Sequence, residues 1–329
     1  MSALSAVHGL ASTIFSNFFV TLPYPESKPG LSEQTVIVTG SNTGLGLEAS
    51  RHLLRIGVGK LIMAVRNQEK GEKARSELLN STKRSADSVE VWHVDMESYD
   101  SVKAFANRVS SELPRVDAVL ANAGIMLDKF GLAEGNEKTI TVNVVSTFLL
   151  FLLLLPKLRQ SPTPGKFVIP NSALHYLAPV KELVPNNTTP IFSRLNDPKT
   201  SNMASRYSVS KLLVLYVIRE LAARMKASGK PVVIINTPNP SYCKSGLTRD
   251  MNATAPPDFI ARSTEMGSRA LVHGLLAGPE TNGHYLTNCH VQTPASHVTN
   301  KTGAQIQKVF YEELMQKLET ISPGVSANI

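Results

Sequence analysis

Apolar residues follow two patterns along this chain. Short, continuous β-branched and aliphatic runs indicate strands that are buried on both faces. Longer segments between them have apolar residues at helical spacing and predict helices. The predicted strands cover residues 35–38, 60–65, 89–94, 118–121, 166–169, 232–236 and 284–287, and predicted helices include residues 68–79, 101–113, 143–158, 205–225 and 305–318. This alternation predicts the α/β class, as a single domain with a doubly wound parallel sheet flanked by helices.

The same pattern predicts the domain organisation. We expect an N-terminal extension at residues 1–34, the α/β domain at residues 35–300, and a C-terminal helix and tail at residues 301–329. Two stretches of the domain, residues 173–204 and 243–265, are longer than ordinary connections. Because long loops in compact domains are usually functional, we expect both to cover a substrate.

The N-terminal extension contains an apolar segment from Leu10 to Leu22. No basic region precedes it, and it is shorter than the roughly 20 residues that a membrane span needs. Phe15, Phe18 and Phe19 share one helical face with Leu22, and we expect the segment to pack on the domain. Contact with a membrane surface is the less favoured alternative.

A second apolar run extends from Phe148 to Leu155 and ends at Pro156. At about eight residues it is also well below the length of a membrane span, roughly 20 residues. The run continues the predicted helix that contains Asn143, so we interpret it as a buried helix or a subunit interface.

Composition narrows the classes of function. The 329 residues are 42% hydrophobic and 18% charged, which is typical of a globular enzyme. The net charge of +8 indicates either a basic surface or attraction for a phosphorylated cofactor or acidic substrate. No dense Lys/Arg run is interleaved with aromatic residues, which argues against nucleic-acid binding. The only cysteines, Cys243 and Cys289, are far apart and lack metal-ligand spacing, so we expect a reducing compartment, the cytoplasm.

A glycine-rich turn follows the first predicted strand and precedes a segment with helical spacing. This is the context in which a helix N-terminus binds a dinucleotide pyrophosphate. The residues predicted to line it are Gly40, Ser41, Asn42, Thr43, Gly44, Leu45 and Gly46.

Tyr207 and Lys211 are four residues apart, and therefore project from one face of a helix. An ammonium beside a phenol favours the phenolate, so the tyrosine could exchange a proton near neutral pH. The alternative interpretation is an exposed helix with an aromatic neighbour, because this spacing often arises by chance.

In combination these motifs resemble the short-chain dehydrogenase/reductase family. The family's T-G-x-x-x-G-x-G pattern is matched from Thr39 to Gly46, and its N-A-G element by Asn122-Ala123-Gly124 after the fourth strand. Its helix asparagine is matched by Asn143, and its catalytic pair by Tyr207 and Lys211. The resemblance implies a Rossmann-type fold, a nicotinamide cofactor, and a homodimer formed through the helix that contains Asn143.

The resemblance also implies the catalytic roles. Tyr207 would be the general acid in carbonyl reduction and the base in the reverse reaction, and Lys211 would lower its pKa and hold the nicotinamide ribose. Ser172 would polarise the carbonyl; the alternative for it is a strand-end hydroxyl that caps the next turn. Asn143 would support a proton relay; its alternative is an ordinary polar residue inside a helix. Pro170 and Asn171 depart from the family's usual residues before the serine.

Cofactor choice depends on the residue after the second strand. A carboxylate there would bind a ribose hydroxyl, whereas this chain has Arg66, whose guanidinium suits a 2′-phosphate. We therefore predict NADP(H); the alternative is an ordinary surface arginine. By resemblance, the remaining cofactor contacts are assigned to Asp95, Met96, Asn122, Ala123, Gly124, Tyr207, Lys211, Pro240, Ser241 and Ser245.

Ser241 is the main departure from the family pattern, because it replaces a glycine that approaches the nicotinamide. If its φ is positive, the backbone is strained there. Two alternatives to redox catalysis therefore stay open: a cyclase, isomerase or dehydratase on the same scaffold, or an NADP(H)-binding sensor without turnover.

The particular residues within and around these motifs resemble those of retinol-dehydrogenase-like members and of fungal homologues associated with secondary metabolism. It is carried by the stretches 42–46, 66–71, 207–212 and 263–271 and by the N-terminal extension. The resemblance implies an NADPH-dependent reductase of a hydrophobic ketone or aldehyde, or the reverse alcohol oxidation. The substrate would be a hydrophobic small molecule such as a polyketide or terpenoid intermediate.

Overall fold

The predicted parallel sheet forms the centre of the computed structural model, which describes residues 3–186, 188–248 and 258–329. The strands are β1 (Thr35–Thr39), β2 (Lys60–Val65), β3 (Val89–His93), β4 (Ala118–Leu120), β5 (Leu132–Ala133), β6 (Asn136–Glu137), β7 (Lys166–Val168), β8 (Ile234–Asn239), β9 (Tyr285–Thr287) and β10 (His290–Val291). β5 and β6 form a separate small hairpin.

The main sheet has the order β10-β9-β8-β7-β4-β1-β2-β3. All its pairs are parallel except β9 with β10, where a short antiparallel strand closes one edge. The doubly wound sheet is therefore confirmed. The sixth predicted strand is displaced toward the C-terminus, since β8 begins at Ile234 and continues to Asn239.

Helices cover both faces of this sheet. They are α1 (Ala3–Phe19), α2 (Gly44–Arg55), α3 (Gln68–Thr82), α4 (Tyr99–Glu112), α5 (Lys138–Ile140), α6 (Thr147–Leu158), α7 (Ile191–Leu195), α8 (Met203–Ala227), α9 (Thr264–Leu276), α10 (Ser296–Thr299) and α11 (Lys301–Ile321). Along β1, Val36 and Val38 pack with the layer that includes α2 and α9, whereas Ile37 packs with the layer that includes α4, α6 and α8. Burial on both faces explains why the strands are continuously apolar.

The long apolar helix is a core element. A π-helical turn (Thr141–Ser146) joins α5 to α6, and 89% of the most apolar window of residues 138–158 is buried inside the protein. Length and composition alone would allow this segment to cross a membrane, but its own chain already covers it. Of the two interpretations of Phe148–Leu155, the structure shows the buried helix, and the homodimer stays a prediction.

The two predicted substrate loops differ in structure. Residues 173–204 contain two 3₁₀ turns (Ala173–Leu177 and Val180–Leu183) and α7, and each of these elements has buried residues. This stretch is therefore a packed segment rather than an open loop. In the other stretch, residues 243–265, positions 249–257 lie outside the described residues.

Helix α1 packs on the domain, but not through the face that its phenylalanines share. Gly9 and Ser16 are buried, and a side chain at Gly9 would meet the Tyr176 ring. Phe15, Phe18 and Phe19 point outward and are exposed. The segment therefore packs on the domain as expected, but α1 makes the contact through small and polar residues, and of the four apolar side chains only Leu22, which follows the helix, is buried.

Candidate active site

The glycine-rich turn has the backbone that its sequence predicts. Gly40 has φ 63° and Gly44 has φ 59°, both in the left-handed region that glycine adopts without strain. At Gly46 the constraint is space, because an added Cβ would lie 2.5 Å from both the Asn122 amide nitrogen and the Gly40 carbonyl oxygen. Each of these three glycines is therefore required by local geometry.

The predicted Asn122-Ala123-Gly124 element holds this turn in place. The Asn122 side-chain amide donates to the carbonyls of Thr39 (3.0 Å) and Gly40 (3.1 Å). The Ala123 N–H donates to the Thr39 hydroxyl at 2.9 Å. Because β1 and β4 are adjacent parallel strands, their carboxyl ends meet, and these bonds join the two loops that follow them.

Donor groups at this turn fit a dinucleotide pyrophosphate. The residue before α2, Thr43, makes no side-chain cap hydrogen bond, so the N–H groups of the first helical turn have no capping acceptor from it. The Ser41 hydroxyl is buried and has no hydrogen-bond partner. Unpartnered donors at a helix N-terminus suit an anion.

The Tyr207 phenol is buried at the N-terminal part of α8. Burial raises the pKa of Tyr207 above its usual value, and a side-chain hydrogen bond with Ser172 acts in the opposite direction. Tyr207 is thus a neutral phenol beside the predicted serine, which is the form that a general acid needs. That Lys211 lowers this pKa stays a prediction.

Lys211 lies next to Tyr207 without bonding to its hydroxyl. Its ammonium donates to the main-chain carbonyl of Pro170 at 2.7 Å and lies 5.4 Å from the centre of the Tyr207 ring. Burial lowers the pKa of Lys211 to about 8. The predicted departure at Pro170 therefore contributes through its backbone, as an acceptor that fixes the lysine.

Ser172 lies at the carboxyl end of β7 and has two contacts there. Its hydroxyl accepts a bond from the Leu174 N–H at 3.1 Å, so it caps the following 3₁₀ turn as the alternative interpretation proposed. It also lies close enough to Tyr207 to oppose the rise in the pKa of that phenol. Capping and a contact with the phenol therefore occur together.

Asn171, which departs from the family pattern, joins neighbouring elements of the site by hydrogen bonds. Its side-chain amide donates to the Lys211 carbonyl (3.2 Å) and the Thr237 hydroxyl (3.1 Å), and its side-chain oxygen accepts from the Ser172 N–H (2.7 Å). Asn171 thereby ties the end of β7 to α8 and β8. A lone sequence shows only that the residue is unusual, since all three partners are distant in the chain or belong to its neighbour's backbone.

His175 holds the backbone of Ser172 in place through a hydrogen bond. Its Nε2 accepts from the Ala295 N–H (3.2 Å), which leaves the proton on Nδ1 to donate to the Ser172 carbonyl (2.8 Å). Burial is the largest of the effects that lower the pKa of His175, to about 3, so the ring is neutral. Sequence reasoning did not identify this residue.

Asn143 lies in the π-helical turn, an irregularity that is frequent at functional sites. Its side chain exchanges two 2.9 Å bonds with the backbone of Ile125 and donates to the Ser210 hydroxyl at 3.0 Å. Ser210 in turn donates to the Tyr207 carbonyl at 2.7 Å. The asparagine therefore connects the loop after β4 with α8.

Arg66 follows β2 as predicted, and its side chain is 60% exposed. Its guanidinium pairs with Glu97 at 3.0 Å, and Lys138 pairs with the other oxygen of the same carboxylate at 3.1 Å. Glu97, which the sequence did not single out, therefore competes with a phosphate for Arg66. Asp95 accepts a bond from the Glu97 N–H at 2.9 Å, and Met96 is buried between them.

A shallow cleft lies between the glycine turn and α3. Its walls include Asn42 and Thr43 on one side and Lys70, Lys73 and Glu77 on the other. Lys73 also pairs with Glu69 at 2.7 Å. The two lysines place positive charge beside the turn and were not among the predicted contacts.

Ser241 has the positive φ that would strain the backbone of a residue other than glycine. Its φ is 67°, its N–H donates to the Asn239 side chain at 2.9 Å, and its hydroxyl is buried without a partner. Ser245 lies across from the turn, 3.8 Å from where a Cβ on Gly44 would be. The structure thus brings the segment after β8, which begins with Pro240, to the same edge of the sheet as the glycine turn.

Comparison with known proteins gives consistent matches. A family model described as short chain dehydrogenase matches residues 34–174. The chain is 42% identical over 327 residues to the short chain dehydrogenase/reductase dmxR8 of Cryptosporiopsis sp., covering 96% of this chain and 99% of that protein. It is 43% identical over 288 residues to the short chain dehydrogenase atnD of Emericella nidulans, covering 84% and 90%.

Solved structures share the fold. An uncharacterized protein from Mycobacterium paratuberculosis superposes with a TM-score of 0.67 at 24% identity, covering 89% of this chain and 95% of its own. An alcohol dehydrogenase from the archaeon Thermococcus sibiricus, complexed with 5-hydroxy-NADP, superposes with a TM-score of 0.56 at 19% identity, covering 77% and 95%.

Proposed function

The chain belongs to the short-chain dehydrogenase/reductase family, and we propose that it is an NADP(H)-dependent reductase of carbonyl groups in hydrophobic small molecules. The observation that carries the proposal is the buried Tyr207 phenol with the Lys211 ammonium 5.4 Å from its ring centre, fixed by the Pro170 carbonyl, and with Ser172 near enough to influence the pKa of the phenol. Ser172 follows β7 at the edge of the sheet where the glycine turn, whose unpartnered donors suit a dinucleotide, follows β1. The reverse reaction, alcohol oxidation, uses the same groups.

In the proposed reduction, the substrate carbonyl oxygen accepts hydrogen bonds from Ser172 and Tyr207. Bound NADPH supplies a hydride for the carbonyl carbon. Tyr207 gives its proton to the oxygen as negative charge develops there, and the product is the alcohol. The positive charge of Lys211 stabilises the phenolate that remains. Asn143 holds the loop after β4 against α8, so that the phenol keeps its position.

The preference for NADP(H) over NAD(H) rests on positive charge near the glycine turn. Arg66 lies after β2, and Lys70 and Lys73 line the adjoining cleft. A guanidinium can bind a phosphate with two hydrogen bonds, and lysines add charge. The structural likeness to an enzyme complexed with 5-hydroxy-NADP agrees with this choice. The Glu97 carboxylate must give up Arg66 when a phosphate binds.

The proposed hydrophobic substrate rests on the resemblance to dehydrogenases of fungal secondary metabolism, a group to which the relatives of this chain belong. We propose a polyketide or terpenoid intermediate as its class. Both cysteines of the chain are free and buried, which suits the proposed reducing cytoplasm.

The test is a comparison of NADPH and NADH binding by calorimetry, followed by a panel of bulky hydrophobic ketones and aldehydes monitored for NADPH consumption. We expect tighter binding of NADPH and turnover of at least one carbonyl class. Absence of binding to either cofactor would contradict the proposal.

A non-redox catalyst is the second candidate, and Ser241 is the observation that favours it. A strained residue with an unpartnered hydroxyl lies where the family has glycine beside the nicotinamide. Product formation from a candidate substrate in the absence of any nicotinamide would support a cyclase, isomerase or dehydratase. Cofactor binding without any product would instead support a sensor.

A further inference from the structure

The outward face of α1 is a continuous apolar surface, which we call the α1 face. It consists of Val7, Leu10, Ile14, Phe15, Phe18 and Phe19, which are between 42% and 75% exposed. Val7, Leu10, Ile14 and Phe18 follow one another at spacings of three and four residues and therefore form one stripe. Phe15 and Phe19 flank this stripe and lie 5.5 Å apart, ring to ring.

Two elements next to α1 also carry exposed apolar side chains. Helix α1 packs against the 3₁₀ turn at residues 173–177 and against the short turn at residues 258–260. Each turn contributes an exposed apolar side chain, Leu177 at 36% and Phe259 at 77%. Exposed apolar side chains therefore occur on the elements next to α1 as well as on α1 itself.

The opposite side of α1 is fixed to the protein, so the helix cannot turn its apolar face inward. Asn17 donates to the carbonyls of Tyr242 (2.9 Å) and Ile260 (2.8 Å). The buried Arg262 guanidinium donates to the carbonyls of Ser16 (2.5 Å) and Val20 (3.0 Å). The α1 face is therefore presented to the outside by specific polar contacts.

Charge indicates what covers this face. The first 25 residues contain no Asp, Glu, Lys or Arg, and the whole chain has a net charge of +8. We propose that the α1 face inserts into the surface of a phospholipid bilayer that contains anionic lipids. The helix would lie in the membrane plane, since its other side is committed to the protein.

This position would bring the membrane close to the substrate. The turn at residues 173–177, on which α1 packs, directly follows Ser172. A hydrophobic compound dissolved in the bilayer would then enter beside the catalytic residues. This consequence rests on the proposed function, whereas binding to the bilayer does not.

Vesicle flotation of the full chain tests the proposal without any turnover. With vesicles of phosphatidylcholine and phosphatidylserine, the wild type should float, and the triple variant Phe15→Ser, Phe18→Ser, Phe19→Ser should remain at the bottom. Leu132→Ser is the matched control, because Leu132 is 53% exposed on the separate β5–β6 hairpin. The control should float like the wild type, and added salt should weaken flotation. Failure of the wild type to float, or equal flotation of the triple variant, would overturn the proposal.

A second measurement covers the case in which the triple variant does not fold. Phe18→Trp keeps the face apolar, and its emission should shift to shorter wavelength with vesicles and be quenched by brominated lipid. The native tryptophan, Trp92, is buried and should not respond. Sedimentation velocity without lipid tests the rival occupant, a second copy of the chain. A dimer that the triple substitution dissociates, together with no response of Phe18→Trp to vesicles, would overturn bilayer binding in favour of self-association.

Discussion

The side-chain amide of Asn143 donates a 3.0 Å hydrogen bond to the Ser210 hydroxyl, and both residues are buried. Through this bond the π-helical turn contacts α8 three residues after Tyr207, whose carbonyl accepts from Ser210. The position of the phenol is thus coupled to the loop after β4, which also holds the glycine turn.

Ser210→Ala should therefore lower activity as well as stability. Loss of two buried hydrogen bonds should reduce the free energy of unfolding by about 1–2 kcal/mol, measured by chemical denaturation. The kcat should fall while NADPH affinity is retained, because the turn keeps its own bonds. Ser208→Ala on the same helix is the control. Equal kcat values for Ser210→Ala and Ser208→Ala would contradict the coupling.

Ser241→Gly should stabilise the protein. It removes a left-handed non-glycine residue, a strain of roughly 1–2 kcal/mol, and a buried hydroxyl without a partner; the greater freedom of glycine in the unfolded chain offsets part of this gain. We expect a net increase of about 1 kcal/mol in the free energy of unfolding.

Lys83→Gly is the matched control for backbone strain, since Lys83 has φ 57° and lies at the end of α3, away from the site. It should also stabilise, but only Ser241→Gly should change NADPH affinity. A loss of stability in Ser241→Gly would show that the serine is not strained.

Arg66 and Glu97 should set cofactor preference in opposite directions. Arg66→Asp removes a charge-assisted contact worth about 1.5–3 kcal/mol and should shift the ratio of NADPH to NADH affinity at least about tenfold toward NADH. Glu97→Gln releases Arg66 and should raise NADPH affinity. Glu69→Gln, on the exposed pair with Lys73, serves as control for a lost carboxylate. An unchanged ratio in Arg66→Asp would refute the phosphate role.

The sequence predicts those parts of the site whose residues form a recognisable pattern within a short stretch of the chain. Gly40 and Gly44 indicate a turn because both have the positive φ that glycine adopts without strain, and Tyr207 and Lys211 indicate one helix face through their spacing. The alternation of apolar runs with helical segments likewise predicts the doubly wound parallel sheet. Each of these elements can be predicted from a few consecutive residues.

Other parts of the site depend on contacts between distant residues. Asn171 bonds to residues 40 and 66 positions away, and Glu97 meets Arg66 across 31 positions. His175 receives a bond from Ala295. In α1 the spacing of the phenylalanines suggested the side that packs. The helix is instead held by Asn17 and Ser16, and single polar residues of this kind do not stand out in a hydrophobic pattern. Hydrophobic periodicity within one segment does not show which distant residues will be in contact.

His175 should make stability depend on pH. The pKa of the folded state is about 3, against 6.5 in an exposed imidazole, because burial disfavours the charged ring. Between these values the unfolded chain binds the additional proton, so the free energy of unfolding falls as pH decreases from about 6.5, by about 1.4 kcal/mol per unit. Acidification from pH 7 to 5 should thus cost about 2 kcal/mol through this residue.

His175→Asn keeps a donor near Nδ1 and removes the titrating ring. It should be less stable than wild type at pH 7, yet its denaturation midpoint should change less between pH 7 and 5. His93→Asn, on an exposed strand end, is the control and should retain the wild-type slope. An unchanged slope in His175→Asn would contradict the assignment.

The central claim is that Tyr207 is the proton donor of a nicotinamide-dependent reduction. The most direct measurement compares wild type and Tyr207→Phe, with NADPH binding by calorimetry and carbonyl-dependent NADPH consumption on the same samples. We predict unchanged cofactor affinity and a loss of turnover of at least about 10²-fold, the lower range for a general acid. Undiminished turnover by Tyr207→Phe would contradict the account.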